Sequence, residues 1–209
     1  MIDHLVYGCD DLSHASESIT AMLRVAPTPG GSHVGRGTRN ELVSLGGSTY
    51  LEVIGPDPSQ QAPEGPRPFG IDVIAEPALV AWCVRPTRLL GEIVSEARQS
   101  GIEFGEIASM SRRRPDGVLL EWQLTYPQLD GPFGPALPFM IDWGGSAHPT
   151  DTLDSAVELV GLDVFHRDPR LLRTALDIAG VHSVVAIHQG EPALKARIAT
   201  ARGEISLTS

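Results

Sequence analysis

The sequence predicts an α+β fold built from two βαβββ modules and a shorter third unit. The first observation is a repeat, because the pattern of residues 2–12 returns in degraded form at residues 80–89. In both copies an apolar strand leads through a loop to a leucine that opens a helix. The second observation is that several short apolar runs, separated by turn residues, follow each helix. Paired modules of this kind place equivalent side chains around one shared cavity.

The first module is predicted to occupy residues 1–58. Its helix follows from Leu12, Ile19 and Leu23 at helical spacing, and its end from two prolines and two glycines in residues 27–31. The doublet Gly46-Gly47 separates two runs rich in Leu and Val, which is typical of a hairpin. The predicted elements are a strand over 2–9, a helix over 12–23, and strands over 38–45, over 49–55 and near 32–37.

A proline-rich linker is predicted over residues 59–77, because its prolines exclude both a helix and a central strand. The second module is predicted over 78–147. A loop over 127–138, rich in proline and glycine, is long enough to cover a cavity. The predicted elements of this module are a strand over 79–85, a helix over 89–100, and strands over 103–109, 118–126 and 139–143.

Residues 148–209 are predicted to form a C-terminal partial module of the same βαβββ type, packed on or beside the first two. Pro169 suits the opening turn of its helix, since proline lacks only a donor that the first turn does not use. The predicted elements are a strand over 159–166, a helix over 169–178, and strands over 183–188, 193–199 and 204–208.

The bulk composition argues against nucleic-acid binding and against a membrane protein. The formal net charge is −10, whereas phosphate backbones require clustered Lys and Arg. No apolar run reaches the roughly 18–20 residues of a spanning helix, and no charged leader precedes one, so we expect a cytoplasmic protein. Cys9 and Cys83 lie in apolar runs and are expected to be reduced core thiols, and the three tryptophans are also expected in the core.

Strand alternation selects three residues as candidate metal ligands. Leu51 and Val53 share one face of their strand, so Glu52 points to the other, and a buried carboxylate needs a partner. Asp142 stands three residues before Gly145 as Glu52 stands three before Gly55. With His4 in the first strand, these two acids make an oxygen-rich set suited to Zn, Fe, Mn or Ni. Glu52 is also a candidate catalytic base.

Other polar residues are candidates for the same cavity. His33 lies in a glycine-rich approach to a strand, and Arg112 opens an arginine triplet that could hold a carboxylate or phosphate, or could simply be solvated. Glu121 and Gln123 lie opposite an apolar stripe on their strand and are expected either to contact substrate in the cup or to be wet. His148 follows Asp142 closely and is a candidate catalytic acid or base.

These residues together resemble the glyoxalase-like branch of the vicinal oxygen chelate superfamily, in which paired βαβββ modules form a cupped sheet. Asp3-His4 resembles the first metal-ligand position of that superfamily, the strand around Glu52 the second, and Ile141-Asp142-Trp143 the fourth. The third position is occupied by Ala81, which cannot bind a metal.

The resemblance implies one of two functions. One is a divalent-metal-dependent lyase, isomerase or dioxygenase acting on a small oxygenated metabolite. The other is a metal-free protein that sequesters a small molecule in the same cup, which the alanine at position 81 favours. Both modules lie in one chain, so either a monomer or a homodimer is compatible with the cup.

Overall fold

The first module forms half of a closed eight-stranded barrel. The structure, a computed structural model, describes residues 1–126 and 129–209. The elements of the first module are β1 (Ile2–Gly8), α1 (Leu12–Leu23), β2 (Thr28–His33), β3 (Thr38–Ser44) and β4 (Tyr50–Pro56). Strand β1 pairs in parallel with β4, and β3 and β2 follow outward in antiparallel order.

The second module repeats this arrangement. Its elements are β5 (Ala78–Val84), α2 (Leu90–Gln99), β6 (Ile107–Arg113), β7 (Leu119–Thr125) and β8 (Phe139–Asp142). Strand β5 is parallel to β8, and β7 and β6 follow. The two halves join where β1 meets β5 and where β2 meets β6, both antiparallel. The predicted pair of modules is therefore confirmed.

Strands β2 and β6 lie about four residues away from the positions predicted for them, near 32–37 and over 103–109. Pro29, Gly30 and Gly31 suggested a turn, but they lie in strand β2. The strand tolerates the proline, which has no backbone N–H to donate, because a bulge lies between Pro29 and Gly31. Gly31 has φ of 137°, and a side chain there would collide with the carbonyl oxygen of Arg113 on β6. The glycines thus serve the close approach of strands at the seam between the modules.

The connection between the modules runs over the inner side of the barrel. Its residues Pro68–Val73 form a short 3₁₀ segment, in which Phe69 has φ of 61° and its ring lies 5.6 Å from that of Phe139. Of the loop predicted over 127–138, residues 127 and 128 lie outside the described residues. The part from Phe133 to Leu137 is buried among apolar residues outside the barrel, and Leu129 packs against apolar residues inside it.

The third unit has the predicted order of elements but a different sheet. Its first strand lies inside the sheet, parallel to the strand after the helix, whereas β1 and β5 pair in parallel with the last strand of their modules. Its strands β11 and β12 contact β5 from outside the barrel, and α3 contacts α2. The elements are β9 (Glu158–His166), α3 (Pro169–Ile178), β10 (Ala186–Gln189), β11 (Ala193–Thr200) and β12 (Gly203–Thr208).

Two apolar cores result from this arrangement. The larger one lies outside the barrel, between its strands, the helices and the third unit, and contains the fully buried Trp82. The smaller one fills the barrel interior. The longest helix has 12 residues, and none of the described helices could serve as a membrane-spanning segment.

Candidate functional site

A cavity lies inside the barrel, on the inner faces of strands from both modules. Its volume is about 40 Å³. A cavity of this size suits a small ligand. Its polar lining residues are His4, His33, Asn40, Tyr50, Glu52 and Arg112, and its apolar ones include Phe69, Trp122, Leu124, Phe139, Ile141 and Trp143.

The carboxylate of Glu52 is the centre of the polar cluster. Glu52 is buried on β4, on the face opposite Leu51 and Val53, as its strand alternation predicted. One oxygen, Oε1, accepts a hydrogen bond of 2.5 Å from Nδ2 of Asn40 and lies 3.5 Å from Nε2 of His33. The other oxygen, Oε2, lies 3.8 Å from Nε2 of His4. Two imidazoles therefore flank one buried carboxylate.

Asn40 connects Glu52 to the second module. Its Oδ1 accepts a hydrogen bond of 3.1 Å from Nη1 of Arg112, which turns Nδ2 toward the carboxylate. A Cβ at Gly30 would collide with both side chains of this pair, so glycine leaves the room that the pair occupies. The sequence analysis missed Asn40, although Thr38, Asn40 and Leu42 alternate on the buried face of β3.

His33 is a neutral histidine in this cluster. It pairs across the seam with Arg112, and its Nδ1 lies 3.0 Å from the hydroxyl of Thr38. Burial, assisted by the nearby guanidinium of Arg112, lowers the pKa of His33 to about 4. His33 and Arg112 thus both lie in the cavity, where the sequence analysis expected them.

His4 is held from behind by the buried Asp3. Its Nδ1 lies 2.8 Å from Oδ1 of Asp3, and the other oxygen of Asp3 accepts from Nε1 of Trp143 at 3.1 Å. Burial alone would raise the pKa of Asp3, but hydrogen bonds from His148 and His4 outweigh it and hold this pKa well below its usual range. Because Asp3 is ionised and accepts from Nδ1 of His4, that nitrogen carries a proton, and Nε2 faces Glu52.

His148 lies one layer behind the cavity. Its Nε2 is 3.2 Å from Oδ2 of Asp3, and its Nδ1 is 2.7 Å from the hydroxyl of Thr150. Side chains between it and the cavity include Tyr50, whose ring is stacked on His4 at 4.7 Å. His148 therefore reaches the reacting space only through Asp3 and His4, and direct proton transfer from it to substrate is not supported.

Three predicted site residues point away from the cavity: the placement expected for Asp142 is wrong, and Glu121 and Gln123 take the second of their two expected placements, in solvent. Asp142 is exposed at the end of β8, where its Oδ1 accepts from the backbone N–H of Gly144 at 2.9 Å. Glu121 and Gln123 are exposed on β7, and Leu120, Trp122 and Leu124 face inward instead. The reason is that the second module lines the barrel with apolar groups, so its polar alternating face meets solvent.

The second module also lacks donors where the first has His4 and Glu52. Ala81 is the repeat equivalent of His4, and Cys83 that of Val6. Since Val6 pairs with Glu52 and Cys83 pairs with Phe139, the equivalent of Glu52 is a phenylalanine. Ala81 and Phe139 offer no atom to a metal.

The metal-binding capacity of the site is therefore limited. Among the described residues, one group of at least three potential donors, that of Asp3, His4 and Cys83, brings its ligand atoms within 4.8 Å of one another. The oxygens of Asp3 already accept from His4, Trp143 and His148, and burial with nearby carboxylates raises the pKa of the Cys83 thiol well above its usual value. In the cavity His4 and Glu52 remain from the expected set and His33 adds a third donor, but the ligand atoms of these three do not all come within 4.8 Å of one another. The donor set does not fit the metal site that the resemblance implies.

Solved structures align with this chain at low sequence identity. A hypothetical protein from Staphylococcus aureus aligns with a TM-score of 0.62 and 14% identity, over 99% of this chain and 84% of that chain. Methylmalonyl-CoA epimerase from Streptomyces coelicolor aligns with a TM-score of 0.45 and 16% identity, over 71% of this chain and 98% of that chain. The Mycobacterium tuberculosis epimerase gives 0.39 and 16%, over 67% and 84% of the two chains.

The family comparison covers most of the sequence. Comparison with curated proteins finds no significant match. A family model described as a glyoxalase-like domain matches residues 2–180, which include both barrel modules and continue through α3. The chain therefore belongs to the glyoxalase-like domain family, as its repeated strands and His4 and Glu52 motifs suggested.

Proposed function

We propose that this protein is an isomerase or lyase that moves a proton on a small oxygenated metabolite inside the barrel, with Glu52 as the general base. One observation carries the proposal: a buried carboxylate lies between two imidazoles on the wall of a small cavity. A base in such a place is shielded from bulk water and close to groups that can share its proton. One chain contains the whole cavity, so a monomer is sufficient for this activity.

The geometry around Glu52 supports a defined path for the proton. Asn40 holds Oε1, which leaves Oε2 to take a proton from a carbon next to a carbonyl group. The C–H bond breaks, its electron pair forms a C=C bond, and the C=O π pair moves onto oxygen. Glu52 then returns the proton to the other face of that carbon or to the neighbouring carbon, and the electron pair on oxygen re-forms a C=O bond. His4 can accept the same proton at Nε2, because ionised Asp3 stabilises the imidazolium that would form.

A metal-dependent lyase, isomerase or dioxygenase is the alternative that the family resemblance suggests. The pair of His4 and Asp3 favours it, since metal-binding histidines commonly donate their other N–H to a carboxylate. The three cavity donors His4, His33 and Glu52 do not converge within 4.8 Å of one another, so we route no step through a metal. Elemental analysis of purified protein tests this alternative, with His4→Ala as the variant: one equivalent of metal that this change removes would establish it.

Sequestration without chemistry is the other alternative, and the hydrocarbon side chains at Ala81 and Phe139 favour it. A thermal-shift panel of metabolites in the presence of chelator would reveal binding. Binding that is accompanied by no reaction, and that is unchanged by Glu52→Gln, would support sequestration over catalysis.

The direct test of the proposal is proton exchange. Wild-type protein is incubated in D₂O with small 2-oxo acids and hydroxy ketones, and the loss of C–H signals next to the carbonyl is followed by NMR. Glu52→Gln should slow exchange by about 100-fold or more, since positioned bases contribute about 10²–10⁴-fold. Glu121→Gln removes an exposed carboxylate outside the cavity and is the matched control. Equal exchange in wild type and Glu52→Gln would refute the role of Glu52.

A further inference from the structure

We infer that the cavity recognises the carboxylate of a small 2-oxo or 2-hydroxy acid, which accepts hydrogen bonds from the guanidinium of Arg112 and the indole N–H of Trp122. The inference rests on the proposed function for the reacting end of the ligand. It adds the group that anchors the other end.

The first observation is a buried guanidinium without an acid partner. Arg112 is only 3% exposed, and its one hydrogen bond among the described residues goes to the neutral amide of Asn40. Its Nε has no acceptor, and no carboxylate of the described chain lies within 4.0 Å of it. Arginine keeps its charge when buried, so a cation lies in the cavity wall with donors unmet. Glu52, which Asn40 bridges to Arg112, is a counter-charge in the same cavity, and a ligand carboxylate would meet the donors of Arg112 that remain free.

The second observation is an unpaired indole beside this cation. Trp122 is 9% exposed, and its Nε1 is buried with no acceptor among the described residues. In the register of β6 and β7, Arg112 lies opposite Leu120 and Met110 lies opposite Trp122, so Arg112 and Trp122 are diagonal neighbours on the inner face. Two unmet donors on adjacent strands can meet the two oxygens of one carboxylate.

The size and charge of the site select the ligand class. The small volume of the cavity suits a molecule of few heavy atoms. Arg112 and Glu52 oppose each other in charge, so the cavity accommodates at most one small monoanion, held at the guanidinium. Asn40 bridges Arg112 and Glu52, so a ligand anchored at the arginine presents the adjacent oxygen-bearing carbon toward the base.

The test compares acids with their amides. Binding of glycolate, lactate and pyruvate, each paired with its primary amide, is measured by ligand-observed NMR at millimolar concentration. Each acid should bind about tenfold or more tightly than its amide, because a charge-assisted hydrogen bond is lost in the amide. Arg112→Gln should abolish this preference, Trp122→Phe should reduce it several-fold, and Arg113→Gln on the outer face should leave it unchanged. Trp122→Phe removes the donor with little change of shape, which keeps the inference testable if Arg112→Gln folds poorly.

Several outcomes would overturn the inference. They are equal binding of acid and amide, no binding of any acid, a preference that survives in both cavity variants, or tighter binding of inorganic phosphate with the same dependence on Arg112. Glu52→Gln separates this inference from the proposed function. It should abolish proton exchange and keep or strengthen acid binding, because it removes a negative charge from the cavity. If the acids bind and Glu52→Gln leaves proton exchange unchanged, the binding role of Arg112 and Trp122 is supported and only the catalytic role of Glu52 is refuted.

Discussion

The two barrel modules share one topology but line the cavity with different chemistry. The first module contributes His4, His33, Asn40 and Glu52, whose side chains form one connected polar cluster. The second contributes Trp122, Phe139 and other apolar walls, with Arg112 as its one charged lining residue among those described. Since the backbone positions are equivalent, the difference comes from side chains alone.

This asymmetry teaches that a duplicated module can separate reaction from recognition. A symmetric cup with donors at equivalent places would hold an ion between its halves. Here the first half carries groups that can exchange a proton, and the second carries a surface that can exclude water and anchor a ligand. The variants below test whether the division holds, beginning with the largest expected effect.

The carboxylates Asp3 and Asp142 provide a matched pair, one from each module. Asp3→Asn should lower the free energy of unfolding by about 3–4 kcal/mol, because it disrupts a buried network that receives three N–H donors. Asp142→Asn should cost about 0.5 kcal/mol or less, since its side chain is exposed and bonds only a turn. Urea unfolding of both variants measures the contrast. Equal costs would mean that the buried carboxylate of the first module contributes no more to stability than the exposed carboxylate of the second.

The buried His33 of the first module should make the stability of the protein depend on pH. Its folded-state pKa of about 4 lies below the ordinary 6.5, so the unfolded chain takes up the proton first as the pH falls. The stability that neutral His33 provides is therefore complete above pH 6.5 and is lost toward pH 4, by about 3 kcal/mol in all. His33→Asn should show a correspondingly shallower loss across this range in urea unfolding. Parallel pH profiles for wild type and variant would contradict a buried neutral imidazole.

The seam between the modules should depend on Gly31. Gly31→Ala meets the carbonyl oxygen of Arg113 and adopts a φ of 137° that side chains avoid, so it should cost about 2 kcal/mol or more. The control is Gly47→Ala, where φ is also positive but the surrounding space is open, at a cost of about 1 kcal/mol. Thermal unfolding distinguishes the two. A smaller effect at Gly31 would show that the two halves do not depend on close approach there.

Local signals in the sequence predicted the helices well. Helices α1 and α3 begin and end at the predicted residues, because Asp11 and Asp168 cap their first turns and the apolar spacing is regular. Strands β2 and β6 were misplaced because their position depends on each other across the seam, which no local pattern records. The strand order of the third sheet likewise could not be predicted from local sequence, because this sheet packs against β5, which is distant in the sequence.

The candidate site was predicted in part, and the errors share one cause. Alternation sorts side chains into two faces but does not say which face is inside. Assigning the polar face to the cavity succeeded for His4 and Glu52 and failed for Glu121, Gln123 and Asp142, because the second module reverses the rule. Phe69 could not be predicted, as it enters the cavity from a connection without periodicity.

Two tryptophans of the second module give the smallest and most specific contrast. Trp82 donates from Nε1 to the carbonyl oxygen of Ala136 at 3.1 Å, whereas Nε1 of Trp122 has no acceptor among the described residues. Trp82→Phe should cost about 1–2 kcal/mol more than Trp122→Phe, because only the first leaves a buried carbonyl unpaired, while both lose similar apolar area. Urea unfolding without ligand measures this difference. If the two costs were equal, the indole of Trp122 would be engaged in the folded protein itself, and it would not be free to receive a substrate oxygen.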